Sequence, residues 1–384
     1  MSDFIFETTP RAICRFGGAQ ELGKLCAETG AKRAFILSDP GLEKAGLTSG
    51  PCASLRQAGV DYLLWTGVQA DPPEESILEA TRHAQEFGAD IIIGLGGGSS
   101  MDTAKLVALL CGKPQNLADI YGIGLATGPR LRLIQVPTTA GTGSEVTPIS
   151  IVTTPTSEKK GVVSPLLYPD LALLDAELTM GLPAPITAAT GIDAMVHAIE
   201  AYTTKHKKNP LSDSLAIRAL QLMTSHIDDA VSANPGRAAR EAMLQGSMMA
   251  GMAFANAPVA AVHALAYPLG GHFHVPHGLS NALVLTEVLK FNRDAAMQHY
   301  GELASAVMPD QRFSNDADAC DAFITFIAAM VARMPFAQKL RDVGVAQSDL
   351  DMLATDAMKV ERLLINNPRE VTFDDARAIY ARVL

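Results

Sequence analysis

The sequence predicts an α/β half, residues 1–182, followed by an all-helical half, residues 183–384. Three observations carry this. Short β-branched or aliphatic runs alternate with amphipathic stretches before residue 175. Beyond it, apolar residues recur only at helical spacing. Between the two, Leu182-Pro183-Ala184-Pro185 forms a plausible junction. In order, 33–38 reads as a buried strand stopped by Asp39-Pro40-Gly41, and a helical stretch follows through 54–58. Residues 62–65 read as a second strand, 74–87 as a helix, 90–95 as a third strand, 102–110 as a helix and 131–136 as a fourth strand ended by Pro137. Strands and helices alternating at this spacing form a parallel sheet covered by helices on both faces. The second half shows helical periodicity at 187–204, 211–232, 238–257, 259–269, 279–292, 317–333 and 370–384.

Composition excludes several classes. The 384 residues are 48% hydrophobic, which rules out wholesale disorder. There are 31 Lys plus Arg against 41 Asp plus Glu, a net charge of −10, and a nucleic-acid surface needs the opposite balance. The N-terminus has acids early and no apolar h-region. No run of about 18 uncharged apolar residues occurs, so neither a secretory signal nor a membrane span is expected. Five scattered cysteines without a CxxC fit the reduced thiols of a cytoplasmic protein.

Gly94 through Lys105, with glycines at 94, 96, 97 and 98, follows a strand pattern and opens a helix pattern. Glycines let the backbone approach an anion, and a helix N-terminus offers free N–H groups and its positive dipole end, so a phosphate or pyrophosphate fits there. The plain alternative is a tight turn capped by Ser and Asp. Asp39 lies at a strand end, where a carboxylate could accept from a ribose hydroxyl or simply shape the turn before Pro40. The segment Pro137 to Glu145 offers hydroxyls and glycines suited to a polar cofactor.

In the helical half, Asp193 and His197 are four apart on one helix, which puts both on one face a turn apart. Of nine histidines, four fall between 263 and 277: His263, His272, His274 and His277. One carboxylate and three imidazoles suit Fe(II), Zn, Ni or Mn, and the lack of cysteine argues against a soft metal.

These residues resemble the iron-containing (group III) alcohol dehydrogenase family. The likeness runs through Gly96-Gly97-Gly98-Ser99 with Asp102 and Lys105, through Pro137 to Glu145, through Gly191 to Tyr202, and through His263 to Gly278. It implies an α/β nucleotide-binding domain, a helical metal-binding and substrate domain, and NAD-linked hydride transfer with a small alcohol or aldehyde. It implies a divalent metal, Fe2+ or alternatively Zn2+, held by Asp193, His197, His263 and His277. It also implies cofactor contacts from Asp39, Gly97, Gly98, Ser99, Thr138, Thr139 and Lys160, and a homodimer or larger homo-oligomer. An Asp39 carboxylate facing the 2′-hydroxyl would repel a 2′-phosphate and favour NAD(H). Two positions depart from the pattern. A histidine common four residues after the third ligand is Tyr267 here, so Tyr267 or His272 is expected to relay the proton, with His274 or water as further alternatives, and a phenol is the poorer carrier near neutral pH. An asparagine common after the second strand is Asp71. The other reading is a lyase of the dehydroquinate synthase kind, which also uses NAD and a metal.

Overall fold

The computed structural model describes residues 3–156 and 158–384. They form two compact units, Glu7–Gly181, and Leu182–Leu384 together with residues 3–6.

In the first unit the strands are β1 (Ala12–Cys14), β2 (Arg33–Leu37), β3 (Asp61–Trp65), β4 (Ile91–Gly96), β5 (Gly122–Ile123), β6 (Arg132–Pro137), β7 (Ile149–Thr153), β8 (Lys159–Val163) and β9 (Leu171–Leu174). Between them run α1 (Leu22–Glu28), α2 (Pro40–Lys44), α3 (Ser49–Gln57), α4 (Glu74–Phe87) and α5 (Gly98–Gly112). Six strands pair in parallel in the order β1-β9-β6-β4-β2-β3. Every residue of β4 is buried, as a central strand covered on both faces must be. Ile91, Ile93 and Leu95 pack with Leu25 of α1 and Leu55 of α3, while Ile92 points the other way onto Ala104 and Val107 of α5. Fully burying such an isoleucine contributes roughly 1.5–3 kcal/mol. A smaller sheet, β5-β8-β7, joins β7 and β8 antiparallel.

The sequence reading missed β1, the two-residue β5, β9 and the β7–β8 hairpin. Strand β1 is three residues long, and Leu171-Ala-Leu-Leu of β9 has a composition as suited to a helix, so pairing within the sheet, β1 on β9 and β9 on β6, is what defines them. The hairpin is half-exposed: β7 reads Ile-Ser-Ile-Val-Thr, and β8 opens on two lysines and a glycine before its two valines, so the apolar residues are short and interrupted.

The second unit contains α6 (Ala184–Thr203), α7 (Pro210–Ala230), α8 (Arg237–Asn256), α9 (Ala261–Phe273), α10 (His277–Asn292), α11 (Met297–Val307), α12 (Asp316–Ala332), α13 (Leu350–Met358), α14 (Glu361–Leu364) and α15 (Phe373–Val383). Its described residues contain no strand. No single helix among the described residues is long and apolar enough to cross a membrane.

Candidate functional site

Helix α6 begins behind Pro183 with Pro185 in its first turn, a position whose missing N–H costs a helix nothing. Its period of 3.6 residues places Asp193, His197 and Glu200 on one face, and all three are buried. Glu200 accepts from the backbone N–H groups of Ala260 (2.9 Å) and Val262 (2.7 Å), which fixes the start of α9. It also lies 2.7 Å from His263 Nδ1. A carboxylate only accepts there, so Nδ1 carries the proton and Nε2 keeps its lone pair. That Nε2 is buried without a hydrogen-bond partner, 3.9 Å from Asp193 Oδ1.

Helix α10 opens on His277, whose Nε2 is 3.6 Å from Asp193 Oδ1. Asn281, one turn on, donates to Asp193 Oδ1 at 2.5 Å and lies 3.3 Å from His277 Nε2. Gly278 lets this helix reach α6, since a Cβ there would stand 2.6 Å from the Ala189 carbonyl oxygen. One ligand atom from each of Asp193, His197, His263 and His277 lies within 4.8 Å of every other. The rings stack, His197 against His263 at 4.6 Å and against Phe254 at 4.3 Å. Burial alone would raise the Asp193 carboxyl, but His197, His277, His263 and the Asn281 amide outweigh it and hold it below its ordinary value. A buried imidazole nitrogen with no partner, three nitrogens and one carboxylate converging, and no thiolate together fit a borderline divalent cation.

Glu200 and Asn281 were missed as functional residues in the sequence. Each stands at helical spacing from a ligand, Glu200 three after His197 and Asn281 four after His277, and that was the available signal. Glu200→Gln should weaken metal affinity by about 10–100-fold, measured by competition with a chelator. Unchanged affinity would contradict the assigned role.

Of the two residues expected to relay a proton, Tyr267 stands beside the cluster, its ring 6.1 Å from that of His277. His272 does not. Its Nε2 is 2.5 Å from Asp356 Oδ2 on α13. Nine residues after His263 is two and a half helical turns, so His272 faces away from the ligand side.

In the first unit, the glycine turn links β4 to α5. No side chain caps the start of α5, and Gly97 stands at its N-cap in an extended conformation. A Cβ on Gly98 would lie 2.8 Å from the Thr142 side chain, so the turn and the Pro137–Glu145 loop need that close approach. Thr138 donates its N–H to Gly96 (3.0 Å), and Thr139 lies against Gly97. The Ser99 hydroxyl accepts from the Asp71 N–H at 3.2 Å.

Asp39 is the N-cap of α2, accepting from the Gly41 and Leu42 N–H groups at 2.8 and 3.1 Å. The turn-shaping role is therefore realised, and the carboxylate sits at the end of β2. Lys160 is not brought to the glycine turn. It is exposed, pairing with Glu158 at 3.3 Å and standing 5.9 Å from the Tyr121 ring centroid. Successive strand residues face opposite ways, and it is Lys159 that reaches Asp71 at 2.8 Å, the residue joined to Ser99.

Beneath these loops Lys105 is fully buried. Its ammonium donates to Ser144 Oγ (2.7 Å), Thr147 Oγ1 (3.2 Å) and the Ile149 carbonyl (2.6 Å), and lies 3.6 Å from Asp102. Asp102 accepts from the Ser144 hydroxyl at 2.6 Å and the Ile151 N–H at 2.9 Å. Burial pulls Lys105 down to about 8 against the pull of Asp102 and Glu145. Burial likewise pushes the Glu145 carboxyl up to about 7, opposed by its own backbone amide and by Lys105.

Comparison with known proteins agrees with this chemistry. Residues 9–176 match the family described as iron-containing alcohol dehydrogenase, and residues 187–384 match the C-terminal part of the Fe-containing alcohol dehydrogenase family. A long-chain-alcohol dehydrogenase of Geobacillus thermodenitrificans is 38% identical over 377 residues, covering 97% of this chain and 94% of that enzyme. The crystal structure of a 1,3-propanediol oxidoreductase superposes with a TM-score of 0.95 at 31% identity, each chain covered completely. A sulfoacetaldehyde reductase from Bifidobacterium kashiwanohense, solved with NAD+, superposes with a TM-score of 0.90 at 27% identity, covering 100% of this chain and 99% of that one. With both halves matched and the alignment running nearly end to end, the chain belongs to the iron-containing alcohol dehydrogenase family.

Proposed function

We propose that this chain carries out reversible, NAD(H)-linked hydride transfer on a small alcohol or aldehyde, with a divalent cation held by Asp193, His197, His263 and His277. The convergence of those four side chains around the partnerless His263 Nε2 is the observation that carries the reading. When bound, the cation supplies Lewis acidity toward the substrate oxygen, and the dinucleotide supplies the redox couple. Fe2+ is the expected ion, with Zn2+ as its competitor by affinity.

The protein's part is positioning. Glu200 holds His263 in the tautomer that presents Nε2, and Asn281 fixes the Asp193 carboxylate. Phe254 covers one face of His197 and keeps water from it. The Tyr267 ring stands beside that of His277, and its hydroxyl is the group that can hold a proton as the alcohol is oxidised. In the first unit the uncapped start of α5, with Gly97, Gly98 and Ser99, suits the pyrophosphate, and Thr138 and Thr139 flank it. Lys159 is better placed than Lys160 to serve the cofactor, through its link to Asp71 and Ser99.

Asp39 is assigned to the adenosine ribose. Replacing an N-cap Asp by Gly costs a helix only a few tenths of a kcal/mol, so Asp39→Gly tests selectivity rather than folding. Its preference for NAD over NADP, as a ratio of kcat/KM values, should fall about tenfold once the repelling carboxylate is gone. An unmoved ratio removes Asp39 from the site.

Five free cysteines support a reducing compartment, the cytoplasm, and the family resemblance supports a homodimer or larger assembly. The lyase alternative is not favoured by the matches to alcohol dehydrogenases. The deciding assay follows NADH absorbance with metal-reconstituted protein and a panel of short alcohols and aldehydes. Turnover that disappears on chelation is expected. Protein that binds NAD and metal yet leaves NADH unchanged across the panel would overturn the reading, because a lyase regenerates its NAD in every cycle.

A further inference from the structure

We propose that the substrate carries an anionic group, a carboxylate or sulfonate a few carbons from the reacting oxygen, and that Arg362 receives it. This rests on the dehydrogenase reading above. Arg362 lies on α14, and its Nη2 stands 3.5 Å from the Tyr267 hydroxyl. Tyr267 in turn packs beside His277, so one aromatic side chain separates the guanidinium from the four-ligand cluster.

Arg362 is itself exposed, and three features make it a receptor for charge rather than a paired residue. First, no carboxylate among the described residues forms an ion pair with it. Asp356, on the preceding helix, is occupied by His272 and by Lys359 at 2.5 Å each, and Glu361 points into solvent. Secondly, the backbone that carries it is held in place. Asn366 Nδ2 donates to the Arg362 carbonyl and to the Val259 carbonyl, both at 3.0 Å, which ties the turn carrying Arg362 to the segment leading into α9. Thirdly, the two rings packed against the cluster, Phe254 on His197 and Tyr267 beside His277, are themselves uncharged. A guanidinium presents a planar fork that matches a carboxylate or sulfonate with two parallel hydrogen bonds, and such charge-assisted bonds are the stronger kind.

The class assigned is therefore short hydroxy acids or hydroxysulfonates and the aldehydes that pair with them. The test uses metal-reconstituted full-length protein with NADH and two matched pairs, butanal with succinic semialdehyde and acetaldehyde with sulfoacetaldehyde. Wild type should favour the anionic member of at least one pair about tenfold or more in kcat/KM. Arg362→Met should collapse that ratio about tenfold, and Arg362→Lys should restore part of it, keeping the charge but losing the fork. A wild-type ratio near one in both pairs, or a ratio that Arg362→Met leaves unmoved, overturns the proposal. NADH left unconsumed with all four aldehydes instead overturns the dehydrogenase reading, and this assignment with it.

Discussion

His263→Ala is expected to abolish stable metal loading and to lower kcat/KM by at least ~10³-fold, the loss associated with several kcal/mol of Lewis-acid stabilisation. Three effects combine at this residue. One of four converging donors goes, and that donor is the one whose tautomer is fixed by a buried carboxylate. The ring that stacks on His197 at 4.6 Å goes with it, leaving Phe254 as the ring packed against His197. Glu200 loses its imidazole partner yet keeps the Ala260 and Val262 N–H groups, so the start of α9 stays capped and the variant should fold. His277→Ala removes a ligand on the more exposed side, where Asn281 still holds Asp193, and should retain more metal. Metal content per chain after dialysis, read beside kcat/KM, checks both. Full metal content in His263→Ala with activity within tenfold of wild type would remove His263 from the ligand set.

Lys105→Met is expected to destabilise the first unit by about 3–5 kcal/mol, the usual consequence of removing one partner from a buried charge cluster. The methionine leaves Asp102 and Glu145 without their cation and strips the ammonium from Ser144, Thr147 and the Ile149 carbonyl. The deficit should depend on pH in a definite direction. In the folded protein the Glu145 carboxyl titrates near 7, above its ordinary 4.5, so folding favours its protonated form. Its contribution to stability is full below the ordinary value and is lost as pH rises toward the folded one. Without Lys105 the folded value climbs further and the loss continues to higher pH. The variant should therefore fall further behind wild type at about pH 8 than at about pH 6. Trp65 on β3 is the chain's one tryptophan, so its fluorescence in urea reports this unit. Equal midpoints for variant and wild type at both pH values would show that the cluster carries no stability.

What the sequence disclosed followed periodicity. The i,i+4 spacing of Asp193 and His197, and the buried strand around Ile92, are local patterns, and they stand in the structure as read. The misreadings follow from the same rule applied too loosely. His272 looked available because it is near His263 in sequence, but two and a half turns carry it to the opposite side, where Asp356 takes it. Lys160 came with the family resemblance alone, and because adjacent strand residues face apart, one step of register exchanges a surface lysine for Lys159, which is joined to Asp71. Glu200 lay in plain view on the ligand face. Its work is done on N–H groups some sixty positions later in the chain, at Ala260 and Val262, and no local pattern encodes that meeting.

The contact at Gly278 bears on which ion the protein keeps. Because α10 rests on the Ala189 carbonyl where any side chain would collide, the backbones that carry Asp193 and His277 are held at a close approach, and side-chain torsions adjust the gap between the two donors from there. Gly278 supplies no donor atom, yet it governs how closely the two helices that carry donors can approach. A single added methyl would widen the cage and shift its preference toward the larger ions without altering a donor atom.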